Sequence, residues 1–84
     1  SGTSVYVVGN HESLGNWTVA SSAQQLTAAN YPIWSASIAL PTNTSFEWKC
    51  VKADESSLSI SEWQSGGNNL LSTGTSDVQV SASF

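Results

Sequence analysis

The chain has 84 residues, a formal net charge of −4 and a charged fraction of only 10%. This length supports one small domain spanning residues 1–84 and excludes a second. Lys49 and Lys52 are its only basic residues apart from one histidine, so it lacks the positive charge needed to bind a nucleic-acid backbone or an anionic membrane. Because it also has no apolar run of about 18 residues and no basic-then-apolar leader, we expect a soluble domain excised from a longer protein.

Short segments of alternating apolar and polar residues, separated by Gly, Pro, Asn and Ser, predict an all-β domain. In chain order the predicted strands are 4–8, 33–40, 45–52, 58–63, 69–72 and 77–84. The turn at 41–44 predicts a hairpin between the second and third strands, and Gly66-Gly67 supplies a turn between the fourth and fifth. We therefore expect a small antiparallel β-sandwich or open-sided barrel, immunoglobulin-like in architecture.

The four tryptophans fall into two predicted classes. Trp34 and Trp48 share the inward face of their strands with aliphatic or aromatic residues, so we expect both in the core. Trp17 and Trp63 stand among glycine, asparagine, glutamine and serine, which favour turns. An aromatic side chain in such a turn is either a lid over the edge of the core or part of a binding surface, and the polar surroundings favour binding.

A flat indole can stack on the apolar C–H face of a pyranose sugar, and each stack contributes on the order of 1–2 kcal/mol. The sugar hydroxyls then need hydrogen-bond partners beside the ring, which can come from the polar side chains Lys49, Gln64, Asn68 and Asn69. Lys49 is equally explained as a solvated strand lysine, or as half of a weak ion pair with Glu47.

An ordered set of segments resembles the starch-binding domains of carbohydrate-binding module family 20. These segments are 5–9 (VYVVG), 14–17 (LGNW), 32–34 (PIW), 45–49 (SFEWK) and 62–65 (EWQS). The resemblance spans nearly the whole chain, and it implies a non-catalytic module that needs no cofactor. Its implied ligands are starch, amylose, malto-oligosaccharides and β-cyclodextrin, and its implied partner is a covalently linked catalytic domain in a secreted amylolytic or oxidative starch-degrading enzyme. The resemblance also implies that the first strand of the family is missing, which would expose a sheet edge.

The resemblance assigns residues to two binding sites. The main site would use Trp17, Trp63, Lys49 and Asn68, with Glu47 on a family position near it. Gln64 stands where the family commonly has a glutamate, and we expect its amide to keep the ligand contact. A second, weaker site would use Tyr31, with Asn30 as a companion.

Other functions have less support in the sequence. The acidic residues suggest no pair of carboxylates across a cleft, as a hydrolase needs, and one His and one Cys far apart make no metal site. An immunoglobulin-like module that binds protein through its exposed tryptophans is the main alternative. Cys50 is expected to be a small buried apolar residue.

Two asparagines, Asn16 and Asn43, match the N-x-Ser/Thr glycosylation pattern, which favours a secreted protein. A glycan on Asn16 would crowd the neighbouring Trp17. We therefore predict that Asn16 is unmodified in the active protein.

Overall fold

The computed structural model describes residues 2–30 and 33–80. These residues form strands β1 (Thr3–Gly9), β2 (Thr27–Asn30), β3 (Ile33–Ser35), β4 (Ser45–Asp54), β5 (Ile60–Trp63) and β6 (Asn69–Ser72), with short 3₁₀ segments at Glu12–Trp17 and Ser22–Gln24. All strand pairs are antiparallel, and the predicted all-β fold class is confirmed. In the described part of the chain, no helix has the length and apolar character to cross a bilayer.

Strand β4 is the centre of the main sheet. β1 pairs with it along one edge, from Thr3 opposite Asp54 to Gly9 opposite Trp48. β5 and β6 pair with two successive parts of the other edge, and β2 and β3 form a separate two-stranded sheet. Both edges of β4 are therefore occupied.

Alternation along β4 supports a hydrophobic cluster on each face of the main sheet. The first cluster contains Tyr6, Val8, Val19, Val51 and Ala53. The second contains Leu14, Phe46, Trp48 and Cys50. Trp48 and Cys50 are each only 8% exposed, which confirms their predicted burial.

The predicted strand 33–40 and its hairpin with β4 are wrong. Only Ile33–Ser35 forms a strand, and it pairs with β2, because no free edge of β4 remains for it. The prediction of Trp34 as a core residue is also wrong, since 41% of its surface is exposed. Trp34 belongs to the small sheet and to neither core cluster.

The C-terminal strands also differ from the prediction. β5 begins at Ile60 rather than at Leu58, which has a left-handed φ of 62° that a strand does not accept. β5 and β6 do not pair with each other, since both lie along β4. Of the predicted strand 77–84, residues 77–80 are irregular, with Val78 and Val80 each 51% exposed, and the remainder lies outside the described residues.

Candidate functional site

Four of the residues predicted for the main site line one open groove of about 310 Å³. They are Trp17, Lys49, Trp63 and Asn68. Two indoles, one ammonium group and one amide thus come together on one side of the main sheet. The groove wall therefore offers two aromatic surfaces together with hydrogen-bond donors and an acceptor.

Trp17 is presented by an unusual stretch of backbone. Gly15, Asn16 and Trp17 are consecutive residues with left-handed φ angles of 71°, 49° and 70°. Such a conformation costs a non-glycine residue about 1–3 kcal/mol and persists only where the surroundings enforce it. Here the enforcing bonds include Asn16 N donating to His11 O at 3.0 Å and Thr18 N donating to Gly15 O at 3.1 Å. The half-buried Trp17 ring also packs against the first core cluster, so it serves both the core and the groove.

Gln24 anchors the loop that carries Trp17 to strand β1. Only 2% of Gln24 is exposed, and its Nε2 donates to Val7 O at 3.0 Å and to Thr18 O at 2.8 Å. Its Oε1 accepts from Ala20 N at 3.0 Å and Ser21 N at 3.1 Å. Sequence reasoning missed this residue, although Ser21-x-x-Gln24 matches the capping-box pattern that places such a glutamine.

Trp63 ends β5 opposite Val51, on the same face of the sheet as Lys49. Its ring is 46% exposed, which agrees with the prediction of a surface position. Directly after Trp63 the chain leaves β4 as a loop, residues 64–68, before it returns to the same edge as β6. Asn68 is the last residue of this loop.

Gln64 is not on the groove wall, contrary to the expectation that its amide faces a ligand. It is 7% exposed, and its Oε1 accepts from Cys50 N at 3.1 Å and from Asn69 Nδ2 at 2.9 Å. Its backbone N donates to Cys50 O at 2.9 Å. The side chain is turned toward β4 and away from solvent because the N–H of Cys50 needs an acceptor at this point of the edge.

Lys49 and Glu47 bond to the 64–68 loop and not to each other. Lys49 Nζ donates to Gln64 O at 2.6 Å and to Gly66 O at 2.5 Å. Glu47 Oε1 accepts from Asn68 Nδ2 at 3.0 Å. In the described residues the ion pair observed joins Lys52 to Glu62 at 3.4 Å, with both side chains exposed to solvent.

Two titratable groups of the main sheet, those of Cys50 and Tyr6, favour their neutral forms. Burial raises the pKa of the Cys50 thiol. Burial also raises the pKa of the Tyr6 hydroxyl, and the negative charges of Glu55 and Asp54 add to that effect. No group of three or more His, Cys, Asp or Glu that could hold a metal ion occurs among residues 2–30 and 33–80.

The structure describes little of the predicted second site. Tyr31 lies outside the described residues, and Asn30 is described only as the end of β2. The exposed Trp34, which was not predicted as a site residue, lines a second cavity of about 460 Å³ together with Ser4, Ser22, Gln25, Leu26, Thr27 and Ala28. The sequence did not indicate Trp34 as a site residue, because the alternating pattern around it is typical of a core strand.

Comparison with known proteins gives consistent matches. Residues 1–83 match the family model described as "Starch binding domain". The chain is 46% identical over 71 residues to a glucan 1,4-alpha-maltotetraohydrolase of Roseateles saccharophilus, a match that covers 83% of this chain and 13% of that protein. It is 47% identical over 74 residues to a cyclomaltodextrin glucanotransferase of Klebsiella oxytoca, covering 87% of this chain and 11% of that protein. The chain therefore spans only a small part of these relatives.

A solved structure also matches. The crystal structure of the family 20 CBM of a maltotetraose-forming amylase from Pseudomonas saccharophila STB07 gives a TM-score of 0.74 at 42% sequence identity. The match covers 87% of this chain and 76% of the other. At this level of identity the likeness extends to the sequence as well as the fold.

Proposed function

The chain belongs to the starch-binding domains of carbohydrate-binding module family 20, which are non-catalytic, and we propose that its groove between Trp17 and Trp63 binds the glucan chain. The observation that carries this proposal is the composition of the groove wall, which contains two indoles, one ammonium group and one amide. Indoles supply stacking surfaces for sugar rings, and the two polar groups supply partners for hydroxyls.

The polar groups of the groove are partly engaged before any ligand arrives. Lys49 gives two of its three N–H donors to backbone carbonyls, and Asn68 gives an N–H to Glu47. One hydrogen on Lys49 and the carbonyl oxygen of Asn68 are then available to a sugar. This donor and this acceptor suit a pair of hydroxyl groups on a ring stacked against Trp63.

The affinity of this single site should be modest. Two stacks and a few hydrogen bonds, reduced by the cost of ordering the ligand, correspond to a dissociation constant between about a micromolar and a millimolar. We propose that the ligands are amylose, malto-oligosaccharides and β-cyclodextrin as well as granular starch. Many chains on one granule would raise the apparent strength of binding.

The relatives support a proposal for the wider role of the domain. Their names describe enzymes that act on glucans, and this chain covers 13% or less of their lengths. We propose that this domain is likewise joined to an amylolytic or oxidative catalytic domain and increases the local concentration of its substrate. We further propose that it acts outside the cell, since an insoluble granule cannot cross a membrane.

A second binding site is proposed around Tyr31 and Asn30. The exposed Trp34 supports it, because an indole with 41% of its surface exposed beside a second cavity is a further stacking surface. A molecule with two sites could hold two chains of a granule at once.

The test is a titration with β-cyclodextrin followed by ¹⁵N–¹H NMR of the four indole N–H signals. The proposal expects saturable shifts at Trp17 and Trp63, no shift at the buried Trp48, and a separate shift at Trp34 if the second site binds. A folded sample in which no signal moves would overturn the proposal and favour the alternative, a surface that binds protein.

A further inference from the structure

The loop 64–68 interrupts what would otherwise be one continuous strand along β4. Trp63 pairs with Val51, and Asn69 pairs with Trp48. Between these two pairs, β4 has two residues, Lys49 and Cys50, whereas the opposite segment has five, 64–68. The extra residues leave the sheet on the side of the groove, and they include Gly66 and Gly67, which add no side chain to stiffen the backbone.

Gln64 supplies the hydrogen-bond partners for the backbone N–H and carbonyl group of Cys50 at the point where the loop leaves β4. In a regular antiparallel pair, two residues exchange both backbone N–H···O bonds. Gln64 makes one of these bonds with its backbone N–H, but the other is made by its side chain, whose Oε1 accepts from Cys50 N at 3.1 Å. The side-chain amide thus takes the place of the residue's own carbonyl group.

This substitution releases the Gln64 carbonyl for a second task. It accepts from Lys49 Nζ at 2.6 Å, and the same ammonium group holds Gly66 O at 2.5 Å. The far end of the loop is held where Asn69 Nδ2 donates to Gln64 Oε1 at 2.9 Å. The buried side-chain amide of Gln64 therefore joins the start of the loop to Cys50 in β4. The same amide joins the start of the loop to Asn69, the residue that follows the loop.

We propose that Gln64 is a positioning residue that holds the 64–68 loop, and with it Asn68 and the Lys49 ammonium group, in the arrangement that binds glucan, without touching the ligand itself. The inference rests on the proposed function of the groove. It replaces the expectation that the Gln64 amide is a ligand contact. At 7% exposure, with its Oε1 shared by two donors, this oxygen cannot reach a sugar unless the edge of the sheet opens.

The experiment compares Gln64→Leu, which removes the amide, with Gln64→Glu, which keeps oxygen acceptors for Cys50 N and Asn69 Nδ2. The exposed neighbour Ser65 gives a matched control, Ser65→Ala. Affinity for β-cyclodextrin is measured by calorimetry, and folding is checked by the indole N–H signal of Trp48. We expect about tenfold or greater loss of affinity for Gln64→Leu in a folded sample, because the loop must then be ordered on binding. Gln64→Glu and Ser65→Ala should bind within about threefold of the unmodified protein.

Hydrogen exchange of the Cys50 amide gives a second readout that needs no variant to fold. The proposal expects this amide to be protected in the free protein and equally protected with saturating β-cyclodextrin, because its partner never leaves to contact a sugar. Rapid exchange in the free protein would overturn the inference. So would full affinity in Gln64→Leu, or loss of affinity in Gln64→Glu with the Cys50 amide still protected, which would indicate a direct contact. Failure of the unmodified protein to bind β-cyclodextrin would instead overturn the proposed function of the groove.

Discussion

Asn68 and Glu47 form a side-chain pair at the rim of the groove, in which Asn68 Nδ2 donates to Glu47 Oε1 at 3.0 Å. The pair fixes which end of the amide faces outward: the nitrogen is held by the carboxylate, and the carbonyl oxygen is left for a ligand. Glu47 therefore orients the Asn68 side chain of the proposed site.

We predict that Glu47→Ala weakens β-cyclodextrin binding by about three- to tenfold, since the Asn68 amide is then free to rotate. Glu47→Gln, whose carbonyl oxygen can accept the same bond, should bind almost normally. Titration calorimetry measures both variants. Asp77→Ala, which removes the same charge from an exposed irregular segment, is the control, and an equal loss in that variant would mean that net charge rather than orientation is responsible.

The two groove tryptophans should respond differently to truncation. Trp63→Ala should lose about 1–2 kcal/mol of binding free energy, a factor of about 5 to 30, with the unfolding free energy nearly unchanged because Trp63 is 46% exposed. Trp17→Ala should lose a similar amount of binding free energy and also about 1–3 kcal/mol of unfolding free energy, because Trp17 packs against the first core cluster. Calorimetric titration and urea unfolding of both variants test this. Equal stability of the two would contradict the packing role of Trp17.

Gly15 should tolerate no side chain. Its φ is 71°, and a Cβ atom there would lie 2.6 Å from Gln24 Nε2, which is itself fully bonded. We expect Gly15→Ala to cost about 1–3 kcal/mol of unfolding free energy and to shift the indole N–H signal of Trp17. Gly67→Ala, where a Cβ atom would meet nothing within 4 Å, is the matched control and should be close to neutral. A stable Gly15→Ala with an unmoved Trp17 signal would contradict this account of the loop.

Alkaline pH should destabilise the fold. Burial raises the pKa of Cys50 from an ordinary value of 9.0 and that of Tyr6 from 10.0, so the folded state favours the neutral form of each group. The stability that they contribute is fully present below the pKa values of the unfolded chain, and it is lost as the pH rises through those values toward the raised folded ones. Urea unfolding across this range should show a falling midpoint, and Cys50→Ala and Tyr6→Phe should each reduce the fall. If the urea midpoint falls by the same amount in both variants, the loss of stability at alkaline pH is due to other titratable groups.

Trp34 should matter for granules more than for small ligands. Trp34→Ala should reduce adsorption to granular starch several-fold by removing one of two attachment points, while leaving the β-cyclodextrin shift of Trp63 unchanged. Depletion assays with granules and NMR titration measure the two effects separately. Unchanged adsorption would show that the cavity beside Trp34 plays no part in binding.

Much of the main site could be predicted because its residues have distinctive local surroundings. Trp17 and Trp63 stand among turn-forming residues, and strand alternation along β4 places Lys49 and Glu47 on the face opposite Trp48. The role of Gln64 could not be predicted in this way. A side chain that replaces a backbone partner leaves no periodic pattern in the sequence, and a polar residue beside a groove residue suggests a ligand contact.

The pairing of the strands was the other feature that could not be predicted from the sequence. Alternation predicts which side chains share a face but says nothing about which edge a strand occupies. Segments 33–40 and 45–52 therefore suggested a hairpin, and the structure instead gives both edges of β4 to other strands. The position of Trp34 follows from that difference, because the same alternating pattern on a small peripheral sheet exposes a ring that a central sheet would bury.

The two buried glutamines have a joint consequence for the shape of the groove. Gln24 ties the loop of Trp17 to β1 through Val7 O, and Gln64 ties the segment after Trp63 to β4 through Cys50. Val7 and Cys50 are opposite each other in the β1–β4 pair, and neighbouring strands in a sheet keep a separation of about 4.8 Å. The loops that carry the two aromatic walls are therefore fastened to adjacent strands of one sheet, at two residues that face each other. We expect this shared attachment to hold the stacking surfaces of Trp17 and Trp63 at a constant spacing, while the loop residues determine which hydroxyl groups of a sugar are recognised.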